Sequence, residues 1–287
     1  MENFDTEEWI DNAKSTQEKQ FRMAVIIILH AITLNSILRL NMVIKGGILL
    51  AIKYNSDRYT RDIDFSTHIK YEEFQEEEFK ALLEEKLSES VLHFIEYDIE
   101  CKLQSFKTTP KPETNPTFPT IKIKIGYANK AKRNAIAKLN QGQAPNVVSI
   151  DYSFNEVTQK IDSIQLEDGK EIKAYSYTDL VAEKFRAILQ QKVRRKKGRR
   201  QDLYDLYRLF TIYGSLRGIE AHHTLESLII KSKSRDLEID KTSIRDDVVI
   251  EKLRDQYDLL EDEIDSELPD FSTALELVSS EYESLPW

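Results

Sequence analysis

One cysteine, Cys101, stands alone among 287 residues. An intramolecular disulfide is therefore excluded, and so is a cysteine-rich zinc site. Histidine is nearly as scarce. The five (His30, His68, His93, His222 and His223) show no ligand spacing, and adjacent His222 and His223 are poorly placed to share a metal on a helix. Long apolar runs are also missing. The longest, Met23 to Leu29, is bounded by Arg22 and His30; it is too short to span a bilayer and reads as a buried helix or strand. The opening Met1-Glu2-Asn3-Phe4-Asp5 is acidic and no apolar core follows it, so the expectation is a cytoplasmic protein without membrane contact. Nor is there an excess of positive charge. With 41 Lys and Arg against 50 Asp and Glu, the formal charge of −9 excludes a uniformly basic nucleic-acid coat, though not a local basic patch. Composition (40% hydrophobic, 32% charged) fits a soluble globular protein, and the length suffices for two packed domains or one large one.

Against these absences, one short region concentrates chemistry. No glycine or proline precedes Gly46. Met42-Val43-Ile44-Lys45 reads as a short strand, and Gly46-Gly47 opens the next segment, a short helix of about Ile48 to Tyr54. Glycines at a strand-to-helix turn let backbone N–H groups approach a phosphate closely. Downstream, Arg58-Tyr59-Thr60-Arg61 leads into Asp62-Ile63-Asp64-Phe65. A strand has a side-chain period of two, which puts Asp62 and Asp64 on one face roughly 7 Å apart, with Ile63 and Phe65 on the other. Two such carboxylates repel unless a cation lies between them. Oxygen donors of this kind suit Mg²⁺ held together with substrate phosphates. A phosphate cradle beside a metal-binding acid pair suggests phosphoryl or nucleotidyl transfer.

The pattern elsewhere predicts helices over much of residues 5 to 40 and over 71–92, and a strand within 94–104. It predicts an exposed Pro- and Thr-rich loop over 107–120. Ile121-Lys122-Ile123-Lys124-Ile125 alternates strictly and reads as a strand whose lysine face meets solvent or phosphate. Asn146 to Phe154 is another strand candidate and carries Asp151. Residues 157–175 suggest a hairpin turning at Glu167-Asp168-Gly169-Lys170. From Ser176 the pattern is helical. The expected organisation is α+β, with a mixed-sheet domain over 1–175 and a helical bundle over 176–287.

Two charged residues sit on apolar helix faces. Ser176-Tyr177-Thr178-Asp179 resembles a helix start. In the helix that follows, Lys184 falls within the stripe of Leu180, Val181, Phe185, Ile188 and Leu189, while Glu183, Arg186 and Gln190 share the polar side. A lysine there either snorkels out or has an anionic partner, which on the functional reading is a nucleotide phosphate. In the next helix, about Gln201 to Tyr213, Asp202 lies at the edge of the apolar side, placed to complement the helix dipole or to orient Lys184 or substrate, and Asp205 lies one step farther out. Between the two helices, seven of the nine residues from Lys192 to Arg200 are basic. Arg194, Arg195, Lys196, Lys197, Arg199 and Arg200 are thus candidate contacts for nucleic-acid backbone or a triphosphate. The acidic region from Asp236 to Glu283 suggests amphipathic helices on the bundle or a surface for a basic partner.

Together these segments resemble the AbiEii/AbiGii group of nucleotidyltransferase toxins. Lys45 to Tyr54 is similar to the group's glycine-pair helix. Arg58 to Phe65 is similar to its Arg-x-Ser/Thr-x-Asp-Ile/Leu-Asp-Phe signature, Tyr175 to Lys184 to its Ala-x-Lys helix, and Arg200 to Tyr207 to its final Arg-Asp-Leu-Tyr-Asp-Leu segment. Gln201 departs from that last pattern, and Thr60 stands where serine is commoner. The resemblance implies a polymerase-β-like nucleotidyltransferase core followed by helices, and a toxin of a bacterial toxin–antitoxin or phage-abortive system. It implies an NTP substrate, Mg²⁺, an antitoxin partner, and tRNA or another RNA as acceptor. In that scheme Asp62 and Asp64 hold the metal, with Asp151 chosen as the third carboxylate. Lys45, Gly46, Gly47, Arg58 and Lys184 bind the nucleotide. Lys184, Asp202 and Thr60 join the two aspartates in catalysis. The alternatives are a small-molecule or protein nucleotidyltransferase on the same core, and a non-catalytic nucleotide-binding interaction protein.

Overall fold

The computed structural model describes residues 4–110, 117–166, 169–194 and 198–287. The chain divides into two compact units. The first comprises residues up to Lys53, Arg61–Glu156 and Asp162–Ala174; the second comprises Tyr54–Thr60, Val157–Ile161 and Tyr175–Trp287.

The first unit begins with three helices, α1 (Thr6–Asp11), α2 (Thr16–Thr33) and α3 (Ser36–Asn41). Each starts where a short polar side chain caps it: Asp5, Ser15 and Asn35 accept from backbone N–H groups of the first turn. The elements that follow are β1 (Val43–Lys45), α4 (Gly46–Lys53), β2 (Asp62–Ser66), α5 (Glu76–His93), β3 (Ile99–Thr109), β4 (Thr120–Asn129), α6 (Arg133–Asn140), β5 (Val147–Ser153), β6 (Ile161–Gln165) and β7 (Glu171–Tyr175). Among the described residues the seven strands form one sheet in the order β3-β4-β5-β2-β1-β7-β6. It is mixed: β1 runs antiparallel to β2 and parallel to β7, β2 parallel to β5, and β4 antiparallel to both β3 and β5. The α+β class expected from the sequence is therefore the class observed.

The longest apolar run is helical. It lies in α2, which is buried continuously from Ala24 to Ile32 because it packs against α5, β3 and β5. That layer takes up one face of the sheet, including Ile63, Phe65, Ile150, Tyr152, Ile121 and Ile123, all buried. The alternate residues of β2, β5 and β4 stand on the opposite face, where polar side chains predominate.

Several boundaries differ from the sequence expectation. The strand expected within 94–104 runs on to Thr109, since its pairing with β4 continues to Thr120. The sequence reading did not include helix α6, which is only eight residues long; it is held by Leu139 packing on Ala128 and Ala144. Strand β2 begins at Asp62, so Thr60 precedes the strand. Glu167 and Asp168 of the hairpin turn lie outside the described residues.

The second unit contains α7 (Tyr177–Leu189), α8 (Gln191–Arg194), α9 (Arg200–Tyr213), α10 (Gly218–Lys233), α11 (Asp247–Arg254) and α12 (Phe271–Glu283). Ser176 caps α7 by accepting from the Asp179 N–H. Helix α7 packs on α10 and α9, and α9 on α12. Its central position corrects one expectation: Arg186 and Gln190, assigned to a polar side, are buried, with Arg186 Nη1 donating to Gln190 Oε1 at 2.5 Å and Nη2 to Glu183. In the acidic C-terminal region, Arg245 bridges Glu276 and Glu283.

Candidate active site

Strand register assembles the first constellation. Asp62 and Asp64 alternate on β2 with buried Ile63 and Phe65. Across the antiparallel β1–β2 pair, Lys45 stands opposite Asp64; across the parallel β2–β5 pair, Asp151 stands beside Asp64 and Ser149 beside Asp62. Directly paired residues share a face, and neighbouring strands lie about 4.8 Å apart. Lys45, Asp64 and Asp151 therefore form a row across three strands, and Asp62 occupies the next row. The row continues to Lys122 on β4, whose Nζ lies 3.6 Å from Asp151 Oδ2. Lys45 is largely buried, with its Nζ 3.6 Å from Glu156 Oε1.

Gly46 sits where β1 turns into α4 and has φ +70°, a backbone conformation that disfavours any Cβ. Space is the second constraint. A Cβ built there would collide with the Asp64 carboxylate, 2.9 Å from its Cγ. Asp64 thus occupies room that only a glycine leaves, at the N-terminus of a helix, where backbone N–H groups and the helix dipole favour anions. Gly46→Ala is expected to lower stability by about 1–3 kcal/mol through strain, and more if Asp64 must move; thermal denaturation checks this, and unchanged melting would show that Asp64 does not pack against Gly46.

Do these residues fit a divalent cation? Among the described residues, no group of three His, Cys, Asp or Glu side chains is arranged as a metal site. Mg²⁺ is usually held by one or two carboxylates plus water and substrate phosphates, not by an all-protein cage. Two same-face aspartates with a third in register, beside a glycine-lined helix N-terminus, match that donor set.

The second constellation lies in the helical unit. Lys184 is 5% exposed, and its Nζ donates to Asp205 Oδ2 at 2.6 Å and to Asp202 Oδ1 at 3.1 Å. Arg58 grips the same Asp205 with two bonds, Nε to Oδ1 at 2.8 Å and Nη2 to Oδ2 at 3.0 Å. Arg199 Nε lies 3.2 Å from Asp202 Oδ2. The result is a network of three cations and two carboxylates. Asp205, expected farther out on its helix than Asp202, is the more deeply buried of the two and joins Lys184 to Arg58. Asp205 follows Asp202 by three residues and so lies near it on the helix, but the partners that bury it, Lys184 and Arg58, come from elsewhere in the chain.

Titration follows from this packing. Burial pushes the Asp205 carboxyl up, but the charges of Arg58 and Lys184 and their hydrogen bonds outweigh it and hold it below its ordinary value. Asp202 behaves likewise: burial raises it, and Arg199 and Lys184 bring it below the ordinary value. Burial lowers Lys184, but Asp205 and Asp202 raise it above the ordinary lysine value. Carboxyls depressed on folding stabilise the protein above their unfolded-state pKa, and that contribution fades as pH falls through the folded one. The urea midpoint should therefore drop as pH falls below about 4, where unfolded aspartates take up protons first. Asp205→Asn should flatten that acid limb; an identical limb in the variant would show that Asp205 does not carry it.

Arg200 Nη2 lies 3.0 Å from Glu263 Oε1, so both Arg199 and Arg200 are engaged in ion pairs. Arg194 ends α8. Arg195, Lys196 and Lys197 lie outside the described residues. Arg58 and Thr60 belong to the helical unit.

Comparison with known proteins adds the following. The sequence model of the family described as nucleotidyl transferase AbiEii toxin, type IV TA system, matches residues 27–277. A Helicobacter pylori protein provisionally named a nucleotidyltransferase superposes with a TM-score of 0.53 at 15% identity, over 94% of this chain and 96% of its own. JHP933, also from Helicobacter pylori, gives 0.54 at 15% identity over 94% of each chain. The nucleotidyltransferase toxin MenT4 of Mycobacterium tuberculosis H37Rv covers 98% of this chain and 99% of its own at 13% identity, with a TM-score of 0.45. No curated protein matches. Among the described residues, no helix is long and apolar enough to cross a membrane.

Proposed function

Because the chain belongs to the AbiEii nucleotidyltransferase toxin family of type IV toxin–antitoxin systems, we propose that it is a Mg²⁺-dependent enzyme that moves a nucleotide from an NTP to the 3′ end of an RNA, with tRNA the favoured acceptor. The observation that carries this reading is the row across β1, β2 and β5, which sets Asp64 beside Asp151 and against Gly46.

In the proposed reaction, the 3′ hydroxyl oxygen forms a bond to the α-phosphorus, the α–β phosphoanhydride breaks, pyrophosphate leaves and the hydroxyl proton is released. Bound Mg²⁺ would neutralise charge on the reacting phosphoryl oxygens. Asp62 and Asp64 would hold it, and Asp151 would complete the oxygen set. Gly46 and Gly47 would face the triphosphate with backbone N–H groups, and Lys45 would add a fixed positive charge beside Asp64. For Lys184, Asp202 and Arg58 the buried network supports a positioning role: their charges are spent on one another and on Asp205, and they fix where α7 and α9 lie within the helical unit. Contact between Lys184 and phosphate would require its Nζ to leave at least one of its two carboxylates. Thr60 keeps only its sequence assignment. Family membership implies an antitoxin; cytoplasmic residence and a role in phage defence belong to the same reading.

Incubating the purified protein with Mg²⁺, α-labelled NTPs, tRNA and cell lysate tests the acceptor. Label in RNA is the expected result. Label confined to protein or to small molecules would replace the RNA acceptor by the alternative substrate class on the same core.

A further inference from the structure

The chain carries a second basic region that is separate from the Lys192–Arg200 run. From Cys101 to Ile150 there are nine Lys and Arg against a single acid, Glu113, in a protein of formal charge −9. The ladder gathers three of these lysines on the face that bears the carboxylates. Lys122 pairs with Asp151 across β4–β5 and with Lys107 across β3–β4, and Lys124 pairs with Ser149, the neighbour of Asp62. Lys107, Lys122 and Lys124 are all exposed, while Ile121, Ile123 and Ile125 between them are buried on the other side.

Like charges directly opposite in a sheet are destabilising. Lys107 against Lys122, with Lys124 two residues away, is thus an arrangement that an anion laid across the strands would relieve. Hydroxyls flank the lysines: Ser105, Thr120, Ser149 and Ser153 occupy the registers around them. Toward the far end of β4 the face is closed by α6, packed so tightly that a Cβ on Gly126 would meet Leu139 Cδ1 at 2.9 Å. The approach to α6 and its first turn add exposed Lys132 and Arg133.

We propose that this lysine face of β3 and β4 is the track for the acceptor's phosphodiester backbone. An RNA strand crosses Lys107, Lys122 and Lys124 and reaches the carboxylates with its 3′ end. This rests on the nucleotidyltransferase reading above and assigns to that site the surface that holds its second substrate. Lysines and hydroxyls read phosphate and sugar, not base edges, so the track binds without sequence preference. Lys122 stands between track and acids, next to Asp151.

The test measures fluorescence anisotropy of a fluorescein-labelled, unstructured 12-nucleotide RNA against NaCl concentration, for the wild type and for Lys107→Gln/Lys124→Gln. Neither lysine is placed among the groups that hold metal or triphosphate. The wild type should bind with a marked salt dependence. The double variant should bind about tenfold more weakly at low salt, and its log–log salt slope should shrink by about 1.4, the share of two single-strand phosphate contacts. Its thermal shift with Mg²⁺ and NTP should equal that of the wild type. Equal affinity and slope in the two proteins would overturn the track, as would absence of RNA binding by the wild type. Loss of the Mg²⁺–NTP shift together with RNA binding would also overturn it, by moving the lysines into the nucleotide site. RNA binding that depends on the lysines in a protein showing no Mg²⁺–NTP shift would leave the track standing and remove the nucleotidyl-transfer reading instead.

Discussion

Lys184→Ala should destabilise the protein by about 3–5 kcal/mol, the effect of breaking a buried ion pair by deleting one partner. Among the described residues, the variant would leave Asp205 bound by Arg58 and Asp202 by Arg199, with a void where a buried side chain had been. Burial makes each carboxylate expensive to ionise, and at present the nearby cations more than offset this. Removing the ammonium shifts that balance in the folded state only. Urea unfolding followed by circular dichroism reads the effect, and Lys184→Arg should recover part of it, since charge is kept while the geometry is not. An unchanged urea midpoint combined with lost transfer would restore the direct phosphate contact suggested by the sequence.

Asp64→Asn should reduce nucleotide transfer at least about a thousandfold, the scale of losing a group that stabilises developing charge. The fold should survive, because asparagine fills the same space against Gly46 and the side chain is only half-buried. Asp62→Asn should show the same loss of transfer. Full activity in either variant would remove the metal role from the pair, and unfolding of Asp64→Asn would recast the aspartate as a structural partner of Gly46.

The two constellations, one in each unit, were legible in the sequence to different degrees. The β2 aspartates and the glycine turn are local patterns. An acidic alternation against Ile63 and Phe65, and glycines directly after a strand, state their geometry within a few residues. Asp151 needed a long-range fact, the parallel pairing of β5 with β2, which no local pattern contains; its position on a strand made it a candidate, and register made it a neighbour of Asp64. Lys184 announced itself as a charge on an apolar face. Asp205 did not, because a helical wheel treats one helix at a time, and its partners Lys184 and Arg58 come from elsewhere in the chain. Arg186 was misread for the same reason: the wheel takes a polar residue as facing solvent, whereas α7 is covered by α9 and α10.

The most direct test titrates each of the four ribonucleoside triphosphates into the wild type and into Asp64→Asn by calorimetry, with and without Mg²⁺. At least one triphosphate should bind the wild type only when Mg²⁺ is present and should fail to bind the variant. Binding that ignores Mg²⁺, or that persists undiminished in Asp64→Asn, would contradict a metal–triphosphate site at Asp62 and Asp64.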